Sequence, residues 1–425
     1  MAGRFDIGLV MSAAQRTLRS GRSLWLERGA RANRRYPTFG GKHEASVAIV
    51  GGGMTGALVA HAFASAGVST TLLEASMVGQ GSTAASSALL LQEPDLELTQ
   101  LANRYGLRTS RRIWQLSRDS VHALVNLLRR LRITCDLKEC DAIYFATDAQ
   151  AVARLRRDFD LRMKARFDAE WLGPGDLRRL TAIAGRGAIR TRSSAQFDPY
   201  RACLGLMAAA AAAGARIFER SEVHRIDADH NRVRLRTRQG VLEATRVIIA
   251  TGYATPQFRP LAGRFRMFRT YVVATERMPA AAREELGLTD VMIWDTERPY
   301  HYARWTPDHR LLLGGADRRI RLGQRRHAQF TRASTELRSY FESRLPALAS
   351  VETPLAWEGV FAMTPDSLPY IGPHNRYPRH WFALGYGGNG MTFGSLAARL
   401  LLERWHGSRS SDHDLFAFDR LRKAS

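Results

Sequence analysis

Apolar and polar positions alternate between two periods along this chain, and the switches between them mark its elements. Val47 to Val50 is a continuous apolar run, the pattern of a strand buried on both faces. From about Met54 to Ala66 the spacing becomes helical, and Gly67 stops it; Val68 to Leu73 returns to a strand. Leu96 to Leu131 has helical spacing with arginines on the other face, and predicts two helices broken at Tyr105–Gly106. Cys140 to Thr147 predicts a strand, and Ala151 to Phe167 a charged helix. An alanine-rich helix begins near Pro199 and ends at Gly214. Arg216 to Ile226 alternates as one strand, and Val233 to Thr237 with Val241 to Thr245 predict a strand pair around Gln239–Gly240. The apolar stretch 246–253 closes on the small residues Ala250, Thr251 and Gly252.

Residues 256–355 change character. Tyr271 to Thr275, Tyr300 to Trp305 and Leu311 to Gly315 read as aromatic or apolar strands, and Gln324 to Leu345 as a helix. The chain then returns to a strand, a glycine turn and a helix: Phe382 to Leu384, Gly385 to Thr392, and Phe393 to Trp405. This is an α/β chain with a second, sheet-bearing unit inserted into it.

The turn between the first strand and helix carries chemistry. Gly51, Gly53 and Gly56 fit G-x-G-x-x-G: one glycine for the tight turn, one for close approach of backbone to a pyrophosphate, one for close helix–strand packing. The helix begins at Met54 and Thr55 and aims its positive end at the phosphates. Glu74 ends the second strand, followed by Ala75, where an acid binds both ribose hydroxyls. The small residues from Gly79 to Ser87, including Gly81, Ser82 and Thr83, bring backbone amides and hydroxyls close to an anion or a flat ring.

Composition narrows the class. The 425 residues suffice for two domains and a large core, and the hydrophobic share of 45% is ordinary for a globular protein. No apolar run reaches the roughly 18 residues of a membrane span. Cys135, Cys140 and Cys203 are odd in number and form no C-x-x-C, which fits reduced thiols and a cytoplasmic location. The net charge of +23 suggests nucleic acid or an anionic membrane, but only Lys42, Lys138, Lys164 and Lys423 of 63 basic residues are lysine, and the arginines are scattered. A solvated surface explains them better than a nucleic-acid face. Phe5 to Leu18 reads as a basic amphipathic helix packed on the surface, against a transit peptide or peripheral membrane contact.

Four blocks now stand in order: the cradle, Gly81-Ser82-Thr83-Ala84-Ala85-Ser86, Ile248-Ile249-Ala250-Thr251-Gly252-Tyr253, and Trp357-Glu358-Gly359 with Pro369-Tyr370-Ile371-Gly372 and Gly385-Tyr386-Gly387-Gly388-Asn389-Gly390. That order resembles the D-amino-acid oxidase-like superfamily of FAD-dependent oxidoreductases, from about Ser23 to Trp405, most closely its gamma-glutamylputrescine oxidase-like and glycine/sarcosine oxidase-like branch. Ser23-Leu24-Trp25-Leu26 and Tyr36-Pro37 look like that branch too. The resemblance implies a discontinuous Rossmann-like FAD-binding domain (45–134, 196–255 and 357–425), an antiparallel-sheet substrate domain (135–195 and 256–356) and an N-terminal extension (1–44). It implies that Gly51, Gly53 and Gly56 hold the pyrophosphate and Glu74 the ribose. Ser82 and Thr83 would approach the phosphates or flavin. Val223 would meet adenine through its backbone, with Ala250 to Gly252 beneath the cofactor and Gly387, Gly388, Asn389, Gly390, Met391 and Thr392 by the flavin's pyrimidine edge.

The implied reaction is hydride transfer from a carbon beside an amine nitrogen to flavin, followed by hydrolysis of the imine, with oxygen or a quinone as acceptor. Three departures matter. Phe361 stands where glycine-oxidase relatives carry an arginine that clamps the substrate carboxylate, which favours an alkyl amine or a cation; Arg304 is the candidate to bind a carboxylate from elsewhere. No lysine lies near 300–305, so the charge that helps oxygen react would come from His301 or Arg304. Gly359 and Ala85 occupy the positions of covalent flavin attachment, so FAD is expected to be non-covalent. Tyr271, Tyr300, Tyr302 and especially Tyr386 are candidate pocket aromatics. The competing functions are a quinone-linked D-amino-acid dehydrogenase, a tRNA-modifying flavoenzyme and a flavin-binding protein without turnover.

Overall fold

The apolar run ending at Val50 proves to be the end of a longer strand, Gly41–Val50, at the centre of a mostly parallel sheet. In a computed structural model, residues 18–28, 36–287, 291–321 and 325–423 are described; most of the expected Phe5–Leu18 helix lies outside them. Among the described residues the strands form one eight-stranded and one ten-stranded sheet.

The smaller sheet runs in the order Tyr370–His374, Tyr377–Leu384, Gly240–Gly252, Gly41–Val50, Thr70–Leu73, Arg216–Phe218. All neighbours are parallel except the first pair. The helix Met54–Ser65 follows the first strand and is apolar nearly all round because it is covered on several sides, by the helices Pro199–Ala212 and Gly390–Trp405 as well as the sheet. Asp198 caps Pro199–Ala212 by accepting from Tyr200 N and Arg201 N, both at 3.0 Å. The long helix Leu98–Arg130 is kinked at Gly106 (φ 75°), where the sequence places its break.

Two strand expectations are corrected here. Arg216 to Ile226 is two strands, Arg216–Phe218 and Arg225–Ala228. The buried Glu219 carboxylate between them accepts from Tyr36 N and Val78 N, while Arg220 takes a positive φ. The strand pair expected around Gln239–Gly240 is present, but its second arm, Val241 to Thr245, is not separate from the apolar stretch that follows: both belong to the continuous strand Gly240–Gly252. Its first half pairs with Val233–Arg236, and it runs alongside Gly41–Val50 for most of its length.

The larger sheet runs Arg19–Gly21, Leu355–Met363, Arg266–Ala274, Leu311–Arg319, Tyr302–Trp305, Val291–Asp295, Lys138–Phe145, Ala188–Gln196, Leu89–Leu90, with Glu170–Leu172 beside Ala188–Gln196. It is antiparallel except where Val291–Asp295 meets Lys138–Phe145. Its boundaries differ from the expected ones. Leu355–Met363 pairs along its length with Arg266–Ala274, so the sheet crosses the division expected at 356. Arg19–Gly21, from the expected extension, and Leu89–Leu90, from the expected first cofactor segment, are also strands of this sheet. The Gly79–Ser87 loop ties the two layers together. Ser82 Oγ donates to Val360 O (2.7 Å), Trp357 Nε1 to Ala85 O (2.9 Å) and Trp25 Nε1 to Ser86 O (2.7 Å).

Candidate active site

The glycine turn after Val50 admits no side chain at Gly51 or Gly56. Gly51 sits at φ 110°, and a Cβ there would stand 2.7 Å from Ala250 O. A Cβ on Gly56 would stand 1.9 Å from Gly51 O, so helix and turn touch backbone to backbone. Gly53 caps the helix without a side chain, and Thr83 Oγ1 accepts from Met54 N at 3.0 Å. Glu74 Oε2 accepts from Gly52 N (2.6 Å) and Oε1 from Ser76 N (2.8 Å). Burial pushes the Glu74 carboxyl up from its ordinary value, although both bonds oppose this.

These groups open onto a cavity of about 1010 Å³ walled by both sheets. Of the expected cofactor residues, Gly51, Gly53, Met54, Thr55, Glu74, Ala75, Gly81, Ser82, Thr83, Val223, Ala250, Thr251, Gly252, Gly387, Gly388, Asn389, Gly390 and Met391 line it. Two do not. Gly56 lies behind the wall, where its missing side chain leaves room for Gly51 O. Thr392 is turned away by the helix Gly390–Trp405, and its hydroxyl donates to Leu91 O at 3.0 Å.

The catalytic candidates divide similarly. Tyr302, Phe361 and Tyr386 line the cavity. The Tyr386 hydroxyl donates to Ala383 O, so its single proton is committed and the residue presents its ring. Arg304 is a correction. Its guanidinium is buried away from the cavity, donating to Ser87 O (2.6 Å), Phe197 O (2.9 Å) and Gln196 Oε1 (3.3 Å). Burial pushes it down to about 10, still protonated at neutral pH, but its donors are spent on the fold. His301 is off the wall too, stacked on Tyr340 (3.5 Å) with Nδ1 3.0 Å from Asp295 Oδ2. Tyr271 is buried beside Phe330, whereas Tyr300 does line the cavity.

One end of the cavity holds acids that the sequence reading missed. Asp95 Oδ2 accepts from Gly388 N (2.8 Å) and Oδ1 from Asn389 Nδ2 (2.8 Å), which pins the last glycine turn. Burial pushes Asp95 up to about 6. Asp317, on Leu311–Arg319, also lines the cavity, and burial pushes it up to about 7. The clue available in the sequence was an acid directly after the apolar and small run Leu311 to Ala316. Aromatic rings complete this end: Tyr300 and Trp294 are 5.3 Å apart edge to face, and Phe361 stacks on Phe268 at 5.6 Å. Among the described residues, the arginines on the wall are Arg19, beside Gln80, and Arg259, near Val223.

A family model described as FAD dependent oxidoreductase (DAO) matches residues 46–404. The chain belongs to this family. Among relatives of this DAO chain, the gamma-glutamylputrescine oxidoreductase of Escherichia coli (strain K12) is 27% identical over 375 residues, covering 87% of this chain and 85% of the relative. A glycine oxidase of Bacillus licheniformis is 24% identical, covering 88% and 96%. The fold is similar to the crystal structure of glycine oxidase from Geobacillus kaustophilus, with a TM-score of 0.74, 23% identity and coverage of 87% and 96%. The protein is therefore an FAD-dependent oxidoreductase, and its residues fit that cofactor. The turn admits no Cβ at Gly51 or Gly56, a helix end and an acid face one cavity, and the second glycine turn reaches the same space. No helix among the described residues is long and apolar enough to cross a membrane.

Proposed function

We propose that this protein oxidises the C–N bond of an amine that carries no α-carboxylate clamped by arginine. The observation that carries the reading is the cavity wall itself: Phe361, at the position where the resemblance expects an arginine clamp, lines it, Arg304 is spent on the fold away from it, and the wall at this end carries the acids Asp95 and Asp317. A relative named for an amine, gamma-glutamylputrescine oxidoreductase, agrees with it.

In this reading Gly51, Gly53 and the N-terminus of Met54–Ser65 hold the pyrophosphate, and Glu74 and Ala75 receive the ribose. Val223 lies toward adenine, with its carbonyl held by Gln257 Nε2 at 2.6 Å. Ser82, Thr83 and the Gly387–Met391 turn hold the flavin, where the positive end of the helix Gly390–Trp405 stabilises negative charge. Gly359 and Ala85 bring no nucleophile to the ring, which supports non-covalent attachment. The segments 45–134 without the strand Leu89–Leu90, 196–255 and the chain after Met363 form the cofactor unit, and the larger sheet covers the substrate.

Bound FAD would supply the hydride acceptor for the carbon beside nitrogen and the outlet for the electron pair to dioxygen or a quinone. The nitrogen lone pair forms the C=N bond, and water hydrolyses the imine to a carbonyl compound and an amine. Tyr300, Tyr302, Trp294 and Phe361 hold the substrate's alkyl part and exclude water. The test is anaerobic titration of the purified holoprotein with polyamines, N-methyl amino acids and D-amino acids, following flavin absorbance. Bleaching by amines without a carboxylate is expected; bleaching by amino acids alone overturns the reading.

A further inference from the structure

Asp317 lines the cavity with the Thr270 hydroxyl as its hydrogen-bond partner and no cation bound to it. Its Oδ1 is fully enclosed and makes no hydrogen bond. The nearest donor, the Thr270 hydroxyl, is shared with Tyr302 Oη at 3.1 Å. The basic side chains around it are engaged elsewhere: Arg318 pairs with Glu336, and the His301 ring is bound to Asp295 and stacked on Tyr340. Asp95, another acid on this wall, is held by Gly388 and Asn389 and repels rather than compensates. A carboxylate buried with one shared hydroxyl and no bound cation is costly, and a ligand that brings a positive charge offsets the cost. The Tyr302 and Trp294 rings on the same wall also favour a cation, while the Tyr300 ring already carries the Arg298 guanidinium 3.8 Å from its centroid.

We propose that Asp317 is the counter-ion for a second, non-reacting ammonium group of the substrate, so that the pocket selects diamines over monoamines of the same length. This rests on the amine-oxidising reading above and adds which amines are taken. The nitrogen that is oxidised must give up its lone pair and therefore reacts uncharged. A nitrogen held as ammonium by a carboxylate is then a different one, and the substrate carries two. Asp317 thereby acts on binding, not on the hydride step.

Because burial raises the Asp317 carboxyl, it is ionised only above about pH 7 in the free protein. Diamine binding is therefore expected to weaken as pH falls through that region, while monoamine binding does not follow the same curve. His301, Arg318, Asp95 and Tyr302 are the other ionisable groups facing Asp317, and the variants below separate their contributions from its own.

The experiment is rapid-mixing anaerobic reduction of the holoprotein with an alkyl diamine and with the monoamine in which a methyl replaces the distal amino group. Wild type, Asp317→Asn and Asp317→Glu are compared at several pH values. The expected wild-type result is at least about tenfold tighter apparent binding of the diamine, equivalent to about 1.4 kcal/mol. Asp317→Asn should erase this preference and its pH dependence with the limiting reduction rate within about threefold, and Asp317→Glu should restore part of it. Equal affinity of wild type for both amines, or a preference surviving in Asp317→Asn, overturns the proposal while leaving amine oxidation intact. A loss in limiting rate with unchanged affinity also overturns it, because Asp317 would then serve the reacting nitrogen. If neither amine bleaches wild type, the amine reading and this proposal fail together.

Discussion

The Tyr302 ring occupies the space that a side chain at Gly314 would need: a Cβ there would lie 1.9 Å from Tyr302 Cε2 and 2.6 Å from its hydroxyl oxygen. The two residues are partners across neighbouring strands. The glycine thus sets where the tyrosine stands in the cavity, and through the Tyr302–Thr270 contact it sets the surroundings of Asp317.

Gly314→Ala should therefore displace the ring without touching the cofactor cradle. The variant is expected to purify with its FAD and an unchanged visible spectrum, with Tm lowered by a few degrees. Reduction by amine should slow or weaken at least about tenfold. Stopped-flow reduction beside a flavin-content measurement checks this, and full activity in the variant would contradict it.

Gly56 makes a different demand. The group a Gly56 side chain would strike is the backbone oxygen of Gly51, at 1.9 Å, which no rotamer change relieves. Gly56→Ala is expected to separate the helix from the turn, cost about 1–3 kcal/mol or more, and yield protein depleted of FAD. Absorbance at the flavin bands per unit protein, before and after addition of FAD, measures this loss.

The cradle was the most legible part of the sequence because its determinants are local. A buried strand, glycines forced by backbone contact, and an acid at the next strand's end each leave a mark within a few residues of where they act. Arg304 was misleading for the opposite reason. Its place on an aromatic strand suggests a pocket, but its direction is fixed by Ser87, Gln196 and Phe197, distant in sequence, whose polar groups need a donor. Asp317 escaped notice because its isolation depends on partners that other residues take. The continuous Gly240–Gly252 strand reads as two because its neighbour changes midway: residues 241–244 pair with Val233–Arg236, and from Val247 onward the same edge pairs with Tyr377–Leu384.

Glu74 spends both carboxylate oxygens on backbone N–H groups of the turns around it. In Glu74→Gln one of these donors faces an amide NH2 instead of an acceptor. An unmade buried hydrogen bond costs about 1–3 kcal/mol, so FAD affinity should fall about tenfold or more. Fluorescence titration of the apoprotein with FAD gives the ratio directly, and an unchanged dissociation constant would remove Glu74 from the cofactor site.

Beyond the end of the family match, Arg420 reaches back into the fold. Its Nε donates to Asp366 Oδ2 (2.7 Å) and Nη2 to Asp366 Oδ1 (2.8 Å), with further bonds to Leu368 O (2.6 Å) and Pro369 O (2.9 Å). Tyr105 Oη donates to the same carboxylate at 2.6 Å. Burial alone would raise Asp366, but the Arg420 fork outweighs it and holds the carboxyl below its ordinary range. Replacing Arg420 with Met leaves a buried carboxylate without its cation, at a cost of about 3–5 kcal/mol near neutral pH. A depressed carboxyl contributes stability that is complete above the unfolded value near about 3.9 and is lost as pH falls through the folded value. Without Arg420 the carboxyl takes up its proton at higher pH, and protonation relieves the unpaired charge. The gap in Tm between wild type and Arg420→Met should therefore be widest near neutral pH and shrink on acidification. Thermal melts across that range, with the same FAD occupancy in both proteins, measure the gap; a gap independent of pH would mean that Arg420 acts through its carbonyl bonds and not through Asp366.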